Sequence, residues 1–277
     1  MNLFTNPCKL LRYMYYDFWE ANADPRTRNF PLMSGGPNSV VTIIGVYLLL
    51  VTAVGPKWMK HRHPFSLKGL MIVFNFIMAA TNCAIVLYLL FNINFGKVFL
   101  DFKFPNPNDT SPIVLHELDL GFWCYMTKFA DLLDTIFFVL RKKDRQITFL
   151  HLYHHSSVPI FGWMALKIAP QVPAAKLFLL LNCLVHTVMY LYYGLAAFGP
   201  HMQKSLWWKK YITQLQLYQF AVFIFYGCLL LYFQQGYPPE VIWLGLAQNP
   251  LFFYMFWNFY QKSYKQTQIR NENLKNK

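Results

Sequence analysis

The chain alternates long apolar runs with short polar, basic stretches. Seven runs, near 39–55, 68–92, 117–140, 147–167, 174–198, 210–233 and 240–260, each approach the ~20 residues that a helix needs to cross a bilayer. They predict an all-α polytopic membrane protein with seven transmembrane helices. Residues 8–22 mix Leu, Tyr, Phe and Trp with Lys9, Arg12, Asp17 and Glu20. That mixture is too polar to span and predicts an interfacial amphipathic helix. A stretch rich in Pro, Gly and Asn, residues 24–39, reads as a polar linker. The expected organisation is a lumenal N-terminal segment over 1–38, a seven-helix domain over 39–260, and a cytosolic basic tail over 261–277.

The distribution of Lys and Arg orients the chain. One set of loops collects Lys57, Lys60, Arg62 and Lys68, then Arg141, Lys142, Lys143 and Arg145, then Lys204, Lys209 and Lys210, then Lys262, Lys265, Arg270, Lys275 and Lys277. The opposite loops hold Lys97 and Lys103 and few others. The N-terminal segment dissents with Lys9, Arg12, Arg26 and Arg28, but the loops outweigh it. The C-terminus is expected in the cytosol. Asn108-Asp109-Thr110 is an N-glycosylation acceptor sequence, and Asn108 then falls on the lumenal side. Lys275, third from the end, resembles part of a lysine-based retrieval signal for the endoplasmic reticulum.

Composition agrees with a membrane protein. The chain is 56% hydrophobic and only 13% charged, against about a quarter charged in soluble domains. The net charge of +13 is gathered between apolar runs, where it sets topology and suits an anionic substrate. No basic domain stands outside the spans, so no nucleic-acid partner is expected. The five cysteines show no metal-type pairing and read as thiols without a disulfide framework. No cleavable signal sequence is evident.

The polar residues inside the apolar runs carry the candidate chemistry. His151, His154 and His155, in HLYHH, stand at i, i+3 and i+4 and share one helix face. A packed, hydrogen-bonded cluster is the structural alternative. Three imidazoles in a membrane helix point instead to a functional site, because burying ionisable groups in lipid is costly. Lys128, Asp131, Asp134 and Thr135 form a stripe on the third run. Lys128 and Asp131 there suit either a neutralised structural pair or a site. Asn182, His186, Tyr190 and Tyr193 share a stripe on the fifth run, and Thr213, Gln214, Gln216 and Gln219 lie on the sixth. Tyrosines and amides of this kind also serve as packing anchors and helix bridges. At ~1.5 Å of rise per residue, the groups fall at overlapping depths, mostly in the cytosolic half. That coincidence predicts one polar pocket open to the cytosol.

KFADLLDT, FFVLRKK, FLHLYHH, HTVMYLYYG and TQLQLYQF, in that order between about 117 and 260, resemble the fatty-acid elongase (ELO) family, the very-long-chain 3-ketoacyl-CoA synthases of the endoplasmic reticulum membrane. The chain has Asp131 where the family usually has Glu, and Cys183 where it often has Ser. The resemblance implies six helices around a narrow acyl tunnel, arranged as two inverted three-helix units. It implies condensation of a long-chain acyl-CoA with malonyl-CoA to give 3-ketoacyl-CoA, CoA and carbon dioxide, with no bound cofactor and no metal.

Under that resemblance His154 is the expected nucleophile, with His151 and His155 orienting it and handling protons. His186 and Asn182 would stabilise an enolate or oxyanion. Lys128, Asp131 and Asp134 would set charge and tautomers, and Gln216 would donate a further hydrogen bond. Tyr190, Tyr193 and Gln219 are candidate substrate contacts. Lys142, Lys143, Arg145, Lys209 and Lys210 are candidates for the CoA phosphates. A homodimer and the other enzymes of fatty-acid elongation are compatible partners, beside membrane lipid. A di-iron desaturase also uses HxxHH, but needs more histidine boxes than eight histidines here supply. A seven-helix transporter or receptor with a proton-linked histidine cluster is the other rival.

Overall fold

The computed structural model describes residues 6–265. The basic tail is therefore described only as far as 265, and Arg270, Lys275 and Lys277 lie outside the described residues.

The protein is an all-α membrane protein. In chain order the helices are α1 (Pro7–Arg12), α2 (Phe18–Ala21), α3 (Asn38–Leu49), α4 (Gly55–Met59), α5 (Lys68–Asn92), α6 (Pro112–Ala130), α7 (Leu133–Leu140), α8 (Phe149–Ile168), α9 (Pro173–Ala197), α10 (Pro200–Gln203), α11 (Lys209–Phe233) and α12 (Pro239–Tyr260). Among the described residues, four helices are long and apolar enough to cross a membrane: Asn38–Met59, Lys68–Asn92, Pro173–Ala197 and Lys209–Phe233. The other three expected runs form α6–α7, α8 and α12. His116, Glu117, Asp119 and Lys128 on α6 and the three box histidines on α8 lower the apolarity of those two runs.

Local chemistry explains several irregularities. The first long helix widens into π turns over Leu50–Val54 just before Gly55-Pro56. Pro56 has no N–H to return to the carbonyl of Thr52, so the ladder must adjust there. A Cβ at Gly55 would stand 2.8 Å from Val139 Cγ1, so glycine permits the close approach of α4 to α7. The third apolar run, expected as one helix, is broken at Asp131–Leu132. Leu132 N–H donates to the Phe129 carbonyl and Asp134 N–H to the Asp131 carbonyl, at 3.2 and 3.3 Å. These i→i+3 bonds tighten the backbone where the polar stripe lies.

The molecule divides into two compact units. The first comprises the chain up to Ser66 with Pro105–Ala175; the second comprises Leu67–Phe104 with the chain from Lys176 onward. The core of the first gathers Val40, Ile44, Tyr47 and Val51 from the first long helix, Phe122, Tyr125, Leu132 and Val139 from α6–α7, and Trp163 and Leu166 from α8. In the second, α11 packs against α12 through Phe220, whose ring lies 5.5 Å from Phe252 and 5.2 Å from Phe256. Lipid is as apolar as these side chains, so close packing and polar contacts hold such helices together more than water exclusion does.

The 24–39 stretch is not a free linker. Met33 and Thr27 are fully buried. Lys167, at the end of α8, donates to Glu20 Oε1 at 2.7 Å and to the Met33 carbonyl at 2.6 Å. Trp163 Nε1 donates to the Leu32 carbonyl at 2.8 Å. Arg26 pairs with Asp24 at 2.6 Å and donates to the carbonyls of Asn106 and Asp109. The composition that reads as a linker is the composition of a chain making tight turns, and the partners that bury it are far away in sequence.

Candidate active site

Thr148 opens the histidine helix: its side chain accepts from His151 N–H at 3.2 Å, an N-cap that fixes where α8 begins. The three box rings then fall together. His151 and His155 have ring centroids 4.1 Å apart, and His154 and His155 are 5.4 Å apart. All three are half-buried. Four residues on, Pro159 is buried inside α8 and has no N–H to offer the His155 carbonyl.

The third run contributes charge to the same unit. Lys128 Nζ and Asp131 Oδ2 pair at 3.2 Å, with both side chains about 5% exposed. The pair belongs to the same compact unit as the histidine box. Asp134 is buried. Thr135, fully buried, hydrogen-bonds His151 Nε2 at 2.7 Å and the Tyr47 hydroxyl at 2.7 Å. Thr135 was part of the expected stripe without an expected role. Tyr47 was not expected at all, since a single Tyr in an apolar run has no sequence signature. Lys167 and Glu20 were also missed, although a lysine ending an apolar helix is itself a signal.

The expected phosphate-binding cations of this unit are exposed on the turn after α7: Lys142, Lys143 and Arg145. Lys142 adopts a left-handed backbone (φ 52°) and donates to the Lys60 carbonyl at 3.3 Å. Asn108 is exposed in the loop before α6.

The second unit carries its own stripe on α9. Asn182, His186 and Tyr190 are buried, while Tyr193 is exposed. The His186 and Tyr190 rings are 5.8 Å apart, Tyr190 and Tyr193 6.3 Å, and Phe74 meets Tyr190 edge-on at 6.0 Å. On α11, Gln216 Nε2 approaches Met189 Sδ at 3.9 Å, and Gln219 is buried. Lys209 and Lys210 are exposed at the start of that helix, Lys210 lying 5.0 Å over the Tyr211 ring.

Outside the spanning helices, burial raises the Tyr237 hydroxyl, and Glu20 is shifted the other way. The Lys167 hydrogen bond, ahead of the opposing burial and aided by Arg28 and the Gly35 N–H, holds the Glu20 carboxyl down at about 2. Among the described residues, no set of three or more His, Cys, Asp and Glu side chains is arranged to hold a metal ion.

The first unit of this membrane protein thus holds an imidazole cluster together with a buried Lys–Asp pair. The sequence profile described as the ELO, GNS1/SUR4 family matches residues 32–272. Very long chain fatty acid elongase 4 of Homo sapiens is 37% identical over 260 residues, covering 91% of this chain and 79% of that protein. Very long chain fatty acid elongase 1 of Homo sapiens is 39% identical over 249 residues, covering 88% and 87%. Very long chain fatty acid elongase 7 of Rattus norvegicus is 36% identical over 275 residues, covering 95% of each. The chain belongs to the ELO family.

Proposed function

We propose that this ELO-family protein acts in fatty-acid elongation as the condensing enzyme, a very-long-chain 3-oxoacyl-CoA synthase joining a long-chain acyl-CoA to malonyl-CoA. The observation that carries the chemistry is the box itself. Its three rings lie within 5.4 Å along the contact path, in the same compact unit as the buried Lys128–Asp131 pair. The names of the relatives supply the substrate class.

In this reading the unprotonated nitrogen of His154 attacks the acyl thioester. The carbon–sulfur bond breaks, the imidazole proton passes to the thiolate, and CoA leaves as the thiol with the acyl group held on His154. Malonyl-CoA then loses carbon dioxide. Its enolate takes the acyl group, the carbon–nitrogen bond breaks, and His154 recovers a proton. Nucleophilic catalysis divides one hard acyl transfer into two easier ones. His151 and His155 orient the nucleophile and move protons. Lys128, Asp131 and Asp134 set the local charge. His186 and Asn182 stabilise the enolate or oxyanion, Gln216 adds a hydrogen bond, and Tyr190, Tyr193 and Gln219 contact substrate. Lys142, Lys143, Arg145, Lys209 and Lys210 receive the CoA phosphates.

The wider reading has α6–α7, α8 and α12 crossing the bilayer with the four longer apolar spans. It makes seven, with the C-terminus cytosolic in the endoplasmic reticulum. The test is incorporation of labelled malonyl-CoA into 3-ketoacyl-CoA by the purified protein across a ladder of acyl-CoAs. We expect product from wild type and a loss of at least about 100-fold in His154→Ala. Equal product from both would overturn the assignment.

A further inference from the structure

We infer that Tyr47 and Thr135 form a two-hydroxyl relay that fixes the tautomer and tilt of His151, making both of them positioning residues for the reaction proposed above. The inference rests on that reading of the histidine box. Three helices meet at the relay: Tyr47 from α3, Thr135 from α7 and His151 from α8. Both links measure 2.7 Å. Tyr47 is about 4% exposed and Thr135 not at all, so water cannot replace either link.

Thr135 behaves unlike four other helix hydroxyls, those of Thr52, Thr127, Ser157 and Thr187. A buried Ser or Thr in a helix usually returns its proton to a carbonyl three or four residues earlier. Thr52 does so to Leu48, Thr127 to Cys124, Ser157 to Tyr153 and Thr187 to Cys183. Thr135 instead bridges two side chains from other helices. Its hydroxyl stands where the backbone tightens just after Asp131–Leu132, which aims it away from its own helix.

The order of donors follows from acidity. A phenol is a far better donor than an aliphatic alcohol, and Tyr47 stands at the end of the chain. Its proton therefore serves the Tyr47–Thr135 link. Thr135 then has its own single proton for His151, and Nε2 of His151 accepts it. A neutral imidazole that accepts at Nε2 carries its proton on Nδ1. Two consequences follow. The Nε2 lone pair of His151 is occupied, so this ring is not the acyl acceptor, which leaves that part to His154. The His151 ring is also held against rotation, with Phe138 5.3 Å away on one contact and His155 4.1 Å away on another. Its neighbour in the box is therefore positioned through it.

The experiment combines turnover with ¹⁵N resonances of histidine-labelled protein in lipid, the His151 signals being assigned by their loss in His151→Gln. In wild type we expect Nε2 of His151 unprotonated and Nδ1 protonated. Tyr47→Phe and Thr135→Val should shift His151 toward the Nε2-protonated tautomer and lower kcat by about 10-fold, the range found for groups that orient a functional histidine. Thr135→Ser, which keeps the hydroxyl, should restore both. Tyr47→Phe removes one oxygen only, so it can be read if Thr135→Val folds poorly. An Nε2-protonated His151 in wild type overturns the relay. So does an unchanged tautomer in Tyr47→Phe and Thr135→Val, or a Thr135→Ser variant as impaired as Thr135→Val. If His151→Gln itself retains full turnover, the catalytic reading of the box fails instead.

Discussion

Two buried lysines in the first unit form carboxylate pairs of opposite kinds. Lys128 pairs with Asp131, three residues away on the same stretch of chain. Lys167 pairs with Glu20, 147 residues away, and also holds the Met33 carbonyl. The first pair joins residues one helical turn apart, in the unit that holds the histidines. The second fastens the whole 18–37 segment to α8 and lies outside the box. Burying a lysine is costly in either place. The difference teaches what the cost is spent on: local charge in the unit of the histidine box in one case, attachment of a distant segment in the other.

Replacing Lys167 should break the second pair with the largest effect on stability. Lys167→Met is expected to cost about 3–5 kcal/mol, the usual result of removing one partner of a buried pair. Hydrogen exchange should rise across residues 18–37, and thermal unfolding in detergent reports the loss. Unchanged exchange there would mean that Trp163 and Arg26 hold the segment without it.

Replacing Lys128 should sharpen the contrast. Lys128→Met is expected to lower turnover by about 100-fold, a typical acid–base contribution, while leaving exchange over 18–37 as in wild type. Loss of protection over 18–37 in this variant would erase the distinction.

The smallest effect is in acid. Glu20 is held at about 2, against an ordinary value of 4.5, chiefly by its hydrogen bond to Lys167. A carboxyl whose folded pKa is depressed contributes its full stabilisation above its unfolded pKa and loses it as pH falls toward the folded one. Wild type should therefore lose stability between about pH 4.5 and 2 in part through Glu20. Glu20→Gln should be less stable at neutral pH and flatter across that window, as read from melting temperature against pH. A parallel pair of curves would show that Glu20 is ionised equally in both states.

The same contrast explains what could be read from the chain. Helix positions were legible because each run is continuous: the expected 68–92 is α5, and 210–233 differs from α11 by one residue. The box and the Lys128–Asp131 pair were legible because their members are three or four residues apart on one helix face. The break at Asp131–Leu132 was not, because no Gly or Pro marks it. The Glu20–Lys167 tie and the Tyr47–Thr135–His151 relay were not, because each joins residues whose nearness is created by folding. Composition reads 24–39 as a linker since turn residues and linker residues are the same types.

The central claim is that His154 carries the acyl group. Its most direct measurement is mass spectrometry of purified protein incubated with a long-chain acyl-CoA and no malonyl-CoA. The account predicts an acyl adduct on the peptide containing His154, removed when malonyl-CoA is added and absent from His154→Ala. An adduct of equal extent in His154→Ala, or one mapped to Cys124 or Cys183, would contradict it.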